Sequence, residues 1–432
     1  MEVVSRVCVF LCAAVSFLCL GSCKEKDSVS PTVVIHQPLA TSTYVVFDTV
    51  FIDVTVFDDR QLIYVDAKIV DLNFIAISSS TPITFGSNSN QGIAQLVIGN
   101  KLTETGDYYV LITASDGTNE QREYQKIKII GLPKKRRAVY FGATTGLEMG
   151  EVWRVDSLFQ SSSLWLQLNQ DVSKLCVNSL NNRLNVIGKF SIGIESYSLE
   201  SASLAWSNVV FSVAQTERYS DLYCFGNTVF TSIYDREVRA YNLQGALILN
   251  RPTGNFRPHT LYADEDYLLV EMELVGDNDY FIFVYSAQTL ALLWQIDLPM
   301  DIVSICQLRT DEVLLFGNDA GTAKVLHYDI GDNAYWQPRQ LPEGRLQKAT
   351  KMDGQMFAIA HDNGLYVYTY SPNYLNLVRP GTLFQDLSFD VDKRTIIGAS
   401  RNMLQEISAN GQLINTVVNS DSITSVNIHY TR

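Results

Sequence analysis

The apolar positions of this chain fall in short runs separated by polar turns, and in several runs every second residue is apolar. From Val50 to Val56, valine or isoleucine occupies alternate positions, and the run stops at Asp58-Asp59. A period of two is that of a β-strand with one buried face, whereas an amphipathic helix needs a period near 3.6. The 22 Tyr and 20 Phe residues add to the preference for strands. The pattern predicts an all-β protein.

A second alternating run, Tyr108 to Ala114, ends at the hairpin turn signal Asp116-Gly117. It resembles the penultimate strand of bacterial Ig-like domains, in which Tyr108 would form a tyrosine corner. Gln125 to Ile130 would be the last strand. The resemblance implies an Ig-like β-sandwich at residues 31–131. Such a module binds ligands or acts as a spacer, and analogy favours the spacer.

Beyond Arg137 the pattern repeats about every 42 residues. In each repeat, one apolar residue begins the inner strand pattern after a polar turn, and we use these residues as landmarks. Successive landmarks are 38 to 47 residues apart. These landmarks are Leu175, Leu222, Leu261, Ile305, Ala349, Leu387 and Val426. The period fits the four strands of one β-propeller blade, and no helical pattern interrupts it. We therefore expect a seven-bladed β-propeller at residues 138–432.

Several repeats also carry an aromatic third-strand motif before a turn, as in Val238–Asn242 and Phe283–Ser286. Tryptophan recurs near the strand that follows. The recurring residues are Trp165, Trp206, Trp294 and Trp336. These repeats resemble the blades of quinoprotein-like and WD40-like propellers, although neither the WD dipeptide nor a Gly-His signature recurs. We expect the tryptophans to pack between blades rather than to form a sugar-stacking surface.

The two ends of the repeat region complement each other. Ser422–Thr431 has the character of an inner strand with nothing after it, and Ala138–Gly146 that of a second strand with no inner strand before it. We expect the C-terminal strand to complete the first blade and close the ring without a free sheet edge. Residues 132–137, with four consecutive bases, are predicted to be a solvated linker; contact with lipid head groups or an acidic partner is the alternative.

The N-terminus has the order of a secretory signal, in which an uncharged stretch, Val7–Leu20, is too short to span a bilayer. Leu20-Gly21-Ser22-Cys23 resembles the lipobox of a bacterial lipoprotein. The resemblance implies a signal peptide at residues 1–22 and lipidation of Cys23, which would anchor the chain to the outer membrane. An ordinary cleaved signal is the alternative, and both interpretations place the chain outside the cytoplasm.

A polar segment, residues 23–30, follows as a tether. Its charged residues resemble the tethers of surface-exported lipoproteins of Bacteroidota-type bacteria. A solvated spacer without an export signal is equally compatible with these residues. The protein is therefore expected in the cell envelope, facing the periplasm or the cell surface.

Charge and cysteine content narrow the function further. The net charge of −13 argues against nucleic acid, whose phosphates need a basic face. Three cysteines lie in the signal and one is the lipidated Cys23. The remaining Cys176, Cys224 and Cys306 are odd in number and far apart, so buried thiols are expected rather than a disulfide framework or a zinc site.

The usual enzyme motifs are missing from the sequence, which contains no G-x-S-x-G, H-E-x-x-H, P-loop or C-x-x-C pattern. It also lacks the adjacent cysteine pair of quinoprotein dehydrogenases and the Asp-box of sialidases. We expect no cofactor and no metal, and catalysis is left open without being favoured.

The candidate site consists of the residues just before the landmarks, where inner strands begin and line the mouth of a propeller channel. With His259 added, these ligand-binding candidates are Lys174, Asp221, His259, Thr260, Ser304, Lys348, Asp386 and Ser425. Two Asp and one His could also hold a metal, or the two carboxylates could act as acid and base. The plainer interpretation is a wet, polar channel mouth in which the lysines are counter-ions.

Three turns are rich in acidic residues: Asp264–Asp266, Asp277–Asp279 and Asn318-Asp319. Their oxygens would suit calcium, but none has the ligand spacing of a dedicated calcium loop. Hairpin turns favour Asp, Asn and Gly for backbone reasons, so calcium is not expected.

The sequence is best interpreted as a lipid-anchored envelope protein whose propeller binds a protein or a glycan, with the Ig-like domain as spacer. One alternative is a polysaccharide lyase or glycoside hydrolase acting at the channel mouth. Another is a structural subunit of an outer-membrane complex, which would show a large apolar patch on the side of the propeller.

Overall fold

The computed structural model describes residues 29–59, 61–72, 74, 76–86, 90–101, 103–146, 149–190, 193–209, 219–264, 266–309 and 311–431. The all-β prediction is confirmed, because strands and turns account for the regular structure of these residues. None of them belongs to a helix of the length and apolarity that a membrane crossing needs. The predicted signal peptide, Cys23 and most of the tether lie outside the described residues. The chain divides into two compact units between Pro133 and Lys134.

The first unit contains two β-sheets. Its strands are β1 (Thr32–Gln37), β2 (Ser42–Val45), β3 (Thr49–Phe57), β4 (Tyr64–Val70), β5 (Thr81–Pro82), β6 (Thr84–Phe85), β7 (Gln91–Val97), β8 (Gly106–Ser115) and β9 (Glu120–Ile130). One sheet has the order β1-β3-β7-β6 and the other β2-β9-β8-β4-β5. All neighbours are antiparallel except β2 and β9, which are parallel.

The two sheets share one apolar core, to which β3 and β8 contribute alternate residues. The predicted alternation is confirmed, because the four apolar residues from Val50 to Val56 are at most 2% exposed. The hydroxyl of Tyr108 donates to the carbonyl of Glu104 at 3.1 Å, which is the bond expected of a tyrosine corner. The Asp116-Gly117 turn joins β8 to β9 as predicted.

The second unit contains seven four-stranded antiparallel sheets among the described residues. Sheet 1 consists of β37 (Ser422–Thr431), β10 (Lys135–Gly146), β11 (Met149–Asp156) and β12 (Ser162–Leu168), in that order. The other sheets run in chain order. Sheet 2 holds β13 (Lys174–Asn178), β14 (Arg183–Ile187), β15 (Gly193–Ser198) and β16 (Leu204–Val209); sheet 3 holds β17 (Tyr219–Phe225), β18 (Thr228–Ile233), β19 (Glu237–Tyr241) and β20 (Leu247–Pro252); sheet 4 holds β21 (Phe256–Ala263), β22 (Tyr267–Leu274), β23 (Tyr280–Ser286) and β24 (Leu292–Leu298). Sheet 5 holds β25 (Asp301–Arg309), β26 (Glu312–Asp319), β27 (Thr322–Asp329) and β28 (Ala334–Glu343); sheet 6 holds β29 (Leu346–Lys351), β30 (Met356–His361), β31 (Gly364–Thr369) and β32 (Tyr374–Pro380); sheet 7 holds β33 (Asp386–Asp390), β34 (Thr395–Ser400), β35 (Met403–Ser408) and β36 (Leu413–Val418).

These sheets form a closed ring. The first strand of each sheet contacts the first strand of the next, and β33 of sheet 7 contacts β37 of sheet 1. A separate apolar core fills the space between each pair of neighbouring sheets. The C-terminal β37 pairs with β10, with Val426 opposite Phe141, as the sequence predicts. The ring is thus held by hydrogen bonds between the two ends of the repeat region.

The predicted linker differs from the structure. Strand β10 begins at Lys135, so three of the six residues from Leu132 to Arg137 are strand residues. Within them, the side chain of Arg136 is 2% exposed and pairs with Asp390 and Glu406 of sheet 7. This arginine therefore stabilises the ring from inside.

Two further expectations need correction. Cys176 and Cys224 form a disulfide between the first strands of sheets 2 and 3, so the expectation of separate thiols is wrong for this pair and correct for the buried Cys306. Trp206 is buried as expected, whereas Trp336 is 48% exposed and covers the ring of His327. The disulfide depends on which sheets become neighbours, whereas Trp336 and His327 are cross-strand partners within sheet 5.

Candidate functional site

The ring residues predicted from the sequence all lie in first strands, and each contacts the next sheet around the ring. The three uncharged residues form hydrogen bonds with the backbone of that next sheet. Ser425 accepts a hydrogen bond from the NH of Leu175 at 3.2 Å, and Ser304 accepts one from the NH of Ala349 at 3.0 Å. The hydroxyl of Thr260 donates to the carbonyl of Ile302 at 2.8 Å.

The four charged members form two ion pairs between neighbouring sheets. Lys174 Nζ lies 3.4 Å from Asp221 Oδ1, and Lys348 Nζ lies 3.8 Å from Asp386 Oδ1. Each carboxylate also accepts a backbone NH of the following sheet, from Leu261 at 2.9 Å and from Val426 at 2.8 Å. The negative charge of Asp221 raises the pKa of the Lys174 ammonium, so this lysine stays charged.

These contacts give all seven ring positions a partner in the next sheet. Their side-chain oxygens and ammonium groups are used within the protein, so the ring connects the sheets. His259 is different, because its Nε2 lies 2.9 Å from Glu273 Oε2 of its own sheet. The described residues bring no three His, Cys, Asp or Glu side chains together as a metal site, so Asp221, Asp386 and His259 do not form the cluster considered from the sequence.

A cavity of about 640 Å³ lies beside the ring, at the interface between sheets 4 and 5. It opens where β23, β25 and β27 begin and where β24 and β26 end. Its walls are formed by Asn278, Asp279, Tyr280, Leu298, Pro299, Met300, Asp301, Asn318, Asp319, Ala320, Gly321 and Arg345. Two of the acidic turns noted in the sequence, around Asp279 and Asp319, therefore meet at one cavity.

A buried carboxyl lies behind the wall of this cavity. Glu271, on β22, is fully buried, and its Oε1 accepts the NH of Ile302. Its Oε2 is buried and meets no hydrogen-bond donor in ideal geometry among the described residues. Thr260 approaches Glu271 with both its backbone NH and its hydroxyl, and the side chain of Asp301 also hydrogen-bonds to this carboxyl. The partners of the Glu271 carboxyl are thus Ile302, Thr260 and Asp301.

Glu271 and Asp301 interact directly. Burial raises the pKa of Glu271 well above its usual range, and the charge of Asp301 raises it further. Burial also raises the pKa of Asp301, which the positive charges of His259 and Arg345 offset only in part. In its protonated form Glu271 can donate to Asp301, so the two groups share one proton and at least one negative charge.

The repeat shows that the fold does not need this carboxyl. In the other six sheets, the second-strand residue opposite the ring position is not ionisable. These residues are Gly142, Ile187, Ser232, Phe316, Ala360 and Ala399. In sheet 4 a bulge at His259-Thr260 interrupts the pairing, and Glu271 takes the equivalent place. Register shifts occur at the same place in sheets 3, 5 and 6, so the carboxyl, and not the bulge, distinguishes sheet 4.

Gly317 allows Asp301 to take its place. A Cβ on Gly317 would lie 2.2 Å from the carbonyl oxygen of Asp301 and 3.1 Å from the sulfur of Met300. No side chain fits there without moving the first residues of β25. The glycine thus fixes the backbone that carries the cavity carboxylate.

The sequence reasoning missed Glu271, Asp301 and Arg345. A signal for Glu271 was present, because it interrupts the apolar run Leu268–Met272 in a strand whose equivalents have no acidic residue at that place. Nothing local distinguishes Asp301 or Arg345, whose importance comes from the neighbouring sheet.

No protein-family model matches the sequence, and no curated protein matches it significantly. Solved structures are similar in fold. A protein from Lactobacillus plantarum has a TM-score of 0.54 at 13% identity, over 69% of this chain and 100% of that one. Raptor from Chaetomium thermophilum has a TM-score of 0.50 at 14% identity, over 67% of this chain and 26% of that one.

A third similar structure is the β-propeller domain of Cps50 (Swd1) from Myceliophteria thermophila, with a TM-score of 0.46 at 10% identity, over 58% of this chain and 87% of that one. At such identities, similarity concerns the fold alone. The closed ring of four-stranded sheets makes the second unit a β-propeller, as the sequence predicted.

Proposed function

We propose that this chain is a lipid-anchored protein of the bacterial cell envelope whose propeller binds a protein or glycan ligand in the cavity between sheets 4 and 5. The observation that carries the proposal is the polar cavity in whose wall Asp301 is hydrogen-bonded to the buried carboxyl of Glu271. Rigid propellers place ligand sites at the end where strands and turns converge. The ring residues connect neighbouring sheets and do not line this cavity.

The domain assignments follow from the same features. Seven sheets, seven cores between them and the pairing of β37 with β10 support a seven-bladed propeller. Two packed sheets with the Tyr108 corner support an Ig-like module in the first unit. Its place in the chain, between Cys23 and the propeller, suits a spacer.

The anchor can be tested on its own. Cells that express the full chain are fed an alkyne-labelled fatty acid, and the label is expected on the wild type and not on Cys23→Ala. The variant should also leave the membrane fraction, because a stable anchor needs the acyl chains. Labelling of Cys23→Ala would contradict the anchor.

The ligand site is tested with residues 24–432 on a glycan array and in a pull-down from membranes. Asp301→Asn removes the cavity carboxylate, and Asp332→Asn makes the same change in an exposed turn at the opposite end of sheet 5. Ligands held by the wild type and Asp332→Asn but lost by Asp301→Asn would support the cavity. Ligands held equally by all three proteins would contradict it.

The second candidate function is a polysaccharide lyase or glycoside hydrolase. It is favoured by the pKa of Asp301, which burial raises above its usual value, because a raised pKa moves a carboxyl towards the range in which it can act as a general acid. Asp279, across the same cavity, would be the second carboxylate that glycoside hydrolysis needs. Turnover of a polysaccharide panel by the wild type, and its loss in Asp301→Asn, would establish the enzyme.

A structural role in an outer-membrane complex would use the outer strands instead. Leu247, Ile248, Leu292 and Leu293 on β20 and β24 are exposed apolar residues of neighbouring sheets. The same pull-down distinguishes this role, because a partner bound there would be insensitive to Asp301→Asn.

A further inference from the structure

We propose that the disulfide between Cys176 and Cys224 is redox-active and exchanges with small thiols that reach it from the centre of the ring. The inference goes beyond the ligand cavity, because it concerns a different interface, between sheets 2 and 3. It follows from the exposure of the two cysteines and from Asn185, a buried residue whose amide lies against the bridge.

The bridge lies where small molecules can reach it. Cys176 is on β13 and Cys224 is on β17, which are the first strands of their sheets, and the first strands surround the axis of the ring. Both cysteines are half-buried, whereas Cys306 on the first strand of sheet 5 is only 7% exposed. Solvent therefore reaches the bridge more readily than the remaining thiol.

The amide of Asn185 is directed at the bridge. Asn185 lies on β14 opposite Cys176 and is 1% exposed. Its Nδ2 donates to the sulfur of Cys224 at 3.3 Å. A donor at this sulfur stabilises a thiolate more than a disulfide sulfur, because an ionised acceptor makes the stronger hydrogen bond. Cys224 is therefore the better leaving group of the two cysteines.

The other end of the same amide has no partner while the bridge is intact. Asn185 Oδ1 is buried and accepts no hydrogen bond among the described residues, which destabilises the oxidised form. A thiol can donate a hydrogen bond and a disulfide sulfur cannot. Reduction would therefore give Cys176, directly opposite Asn185, a hydrogen for this oxygen. The Cys224 sulfur lies 3.9 Å from the carbonyl oxygen of Cys176, so its thiol has an acceptor as well.

The repeat shows that the fold does not need this amide. In the other six sheets, the equivalent second-strand residue has no amide side chain. These residues are Tyr140, Phe230, Leu269, Leu314, Ala358 and Ile397. Sheet 5 has a cysteine, Cys306, at the place of Cys176, but Leu314 lies opposite it and burial raises the pKa of that thiol to about 12. The amide accompanies the bridge and not the unpaired thiol.

The exchange consists of two steps. A thiolate RS⁻ attacks the sulfur of Cys176, the S–S bond breaks, and Cys224 leaves as a thiolate that Asn185 stabilises. A second thiolate attacks the sulfur of R in the mixed disulfide, which forms RSSR and releases Cys176. The two protons of the small thiols end on the two cysteines. The bridge thus gains two electrons, and two thiols are oxidised to one disulfide.

The test equilibrates residues 24–432, without denaturant, in mixtures of reduced and oxidised glutathione. After an acid quench, free thiols are alkylated in denaturant and counted by mass spectrometry, so that reduction of the bridge adds two alkyl groups. We expect millimolar reduced glutathione to open the bridge in the folded protein. A bridge that stays oxidised until the protein is denatured would overturn the proposal.

Asn185→Leu measures the contribution of the amide, because it gives sheet 2 the leucine that sheet 5 has at this place. The equilibrium constant for reduction by glutathione should fall by about tenfold, since the reduced pair loses its hydrogen bonds to Asn185. Asn250→Leu, an exposed residue on β20 of sheet 3, is the matched control and should leave the constant unchanged. Equal constants in Asn185→Leu and the wild type would overturn the proposal.

A second measurement uses the wild type alone and decides the matter should Asn185→Leu fail to fold. Brief exposure to glutathione followed by alkylation traps the mixed disulfide, and peptide mapping identifies the cysteine that carries glutathione. We expect Cys176, because Cys224 is the better leaving group. Glutathione found mainly on Cys224 would overturn the role of Asn185.

Discussion

Two interfaces of the ring hold a pair of carboxyl groups, both buried at one and only Glu271 fully buried at the other, and they deal with the charge in different ways. Between sheets 7 and 1, Arg136 Nη1 lies 2.8 Å from Asp390 and 2.6 Å from Glu406, with all three side chains at most 4% exposed. Between sheets 4 and 5, Glu271 and Asp301 have no such guanidinium between them. Arginine offsets the charge of the first cluster, whereas in the second cluster one carboxyl hydrogen-bonds to the other.

The same physics governs both clusters. Burial raises the pKa of Asp390, and the charge of Arg136 lowers it again. Burial raises the pKa of Glu271 too, but its charged neighbour is Asp301, which raises it further. The second arrangement, a buried carboxyl with a strongly raised pKa beside a cavity carboxylate, is the one that is typical of functional sites.

The largest expected effect comes from breaking the compensated cluster. Arg136→Met keeps much of the side-chain volume and leaves Asp390 and Glu406 buried without a cation, which should cost about 3–5 kcal/mol in the free energy of unfolding. Urea denaturation measures the loss. Arg345→Met, at the cavity, is the matched control, and a comparable loss there would contradict the distinction between the two interfaces.

A third interface, between sheets 2 and 3, is fixed covalently by Cys176 and Cys224. Their replacement by serine should cost up to about 4 kcal/mol, because the bridge closes a loop of 48 residues. Dithiothreitol should lower the melting temperature of the wild type and leave the double serine variant unchanged. Equal sensitivity of both proteins would mean that no bridge forms.

The backbone at the cavity can be displaced without changing a charge. Gly317→Ala should cost about 1–3 kcal/mol and weaken ligand binding, because the new Cβ would meet the carbonyl of Asp301. Gly331→Ala in the same sheet, where the nearest atom is 3.5 Å from the added Cβ, should change neither. Similar losses in both variants would show that Gly317 has no particular effect on the cavity.

The smallest expected effect is the pH dependence of folding stability that Glu271 causes. Its folded pKa lies above the unfolded value of roughly 4.3, so the folded state holds a proton that the unfolded state has released. This contribution to stability is present below the unfolded pKa and is lost as the pH rises towards the folded pKa. Glu271→Gln should remove that loss, which melting temperatures from pH 4 to 8 would show.

Much of the fold could be predicted because it depends on local patterns. The period of two located the buried faces of β3 and β8, and the repeat located every first strand from Leu175 to Val426. Ala138–Gly146 has no inner strand before it and Ser422–Thr431 has no strand after it, so the sequence predicted that these two segments pair and close the ring. Each of these signals lies within a short segment of consecutive residues.

The site could not be predicted in the same way. Arg136 looked like one base of a linker because its carboxyl partners are more than 250 residues away. The ring residues were located correctly, but the sequence does not show that Asp221 and Asp386 already accept backbone NH groups. Asp301 becomes a candidate only when β22 of the preceding sheet places Glu271 beside it.

The most direct test of this account is the free energy of unfolding of Glu271→Gln at neutral pH, measured beside that of Arg136→Met. We expect Glu271→Gln to equal or exceed the wild type, by on the order of 1 kcal/mol, since an amide cannot ionise and so avoids the cost of a buried negative charge beside Asp301. Arg136→Met should be several kcal/mol less stable. A loss in Glu271→Gln as large as that in Arg136→Met would show that Glu271 serves the fold, and would contradict its assignment to a ligand site.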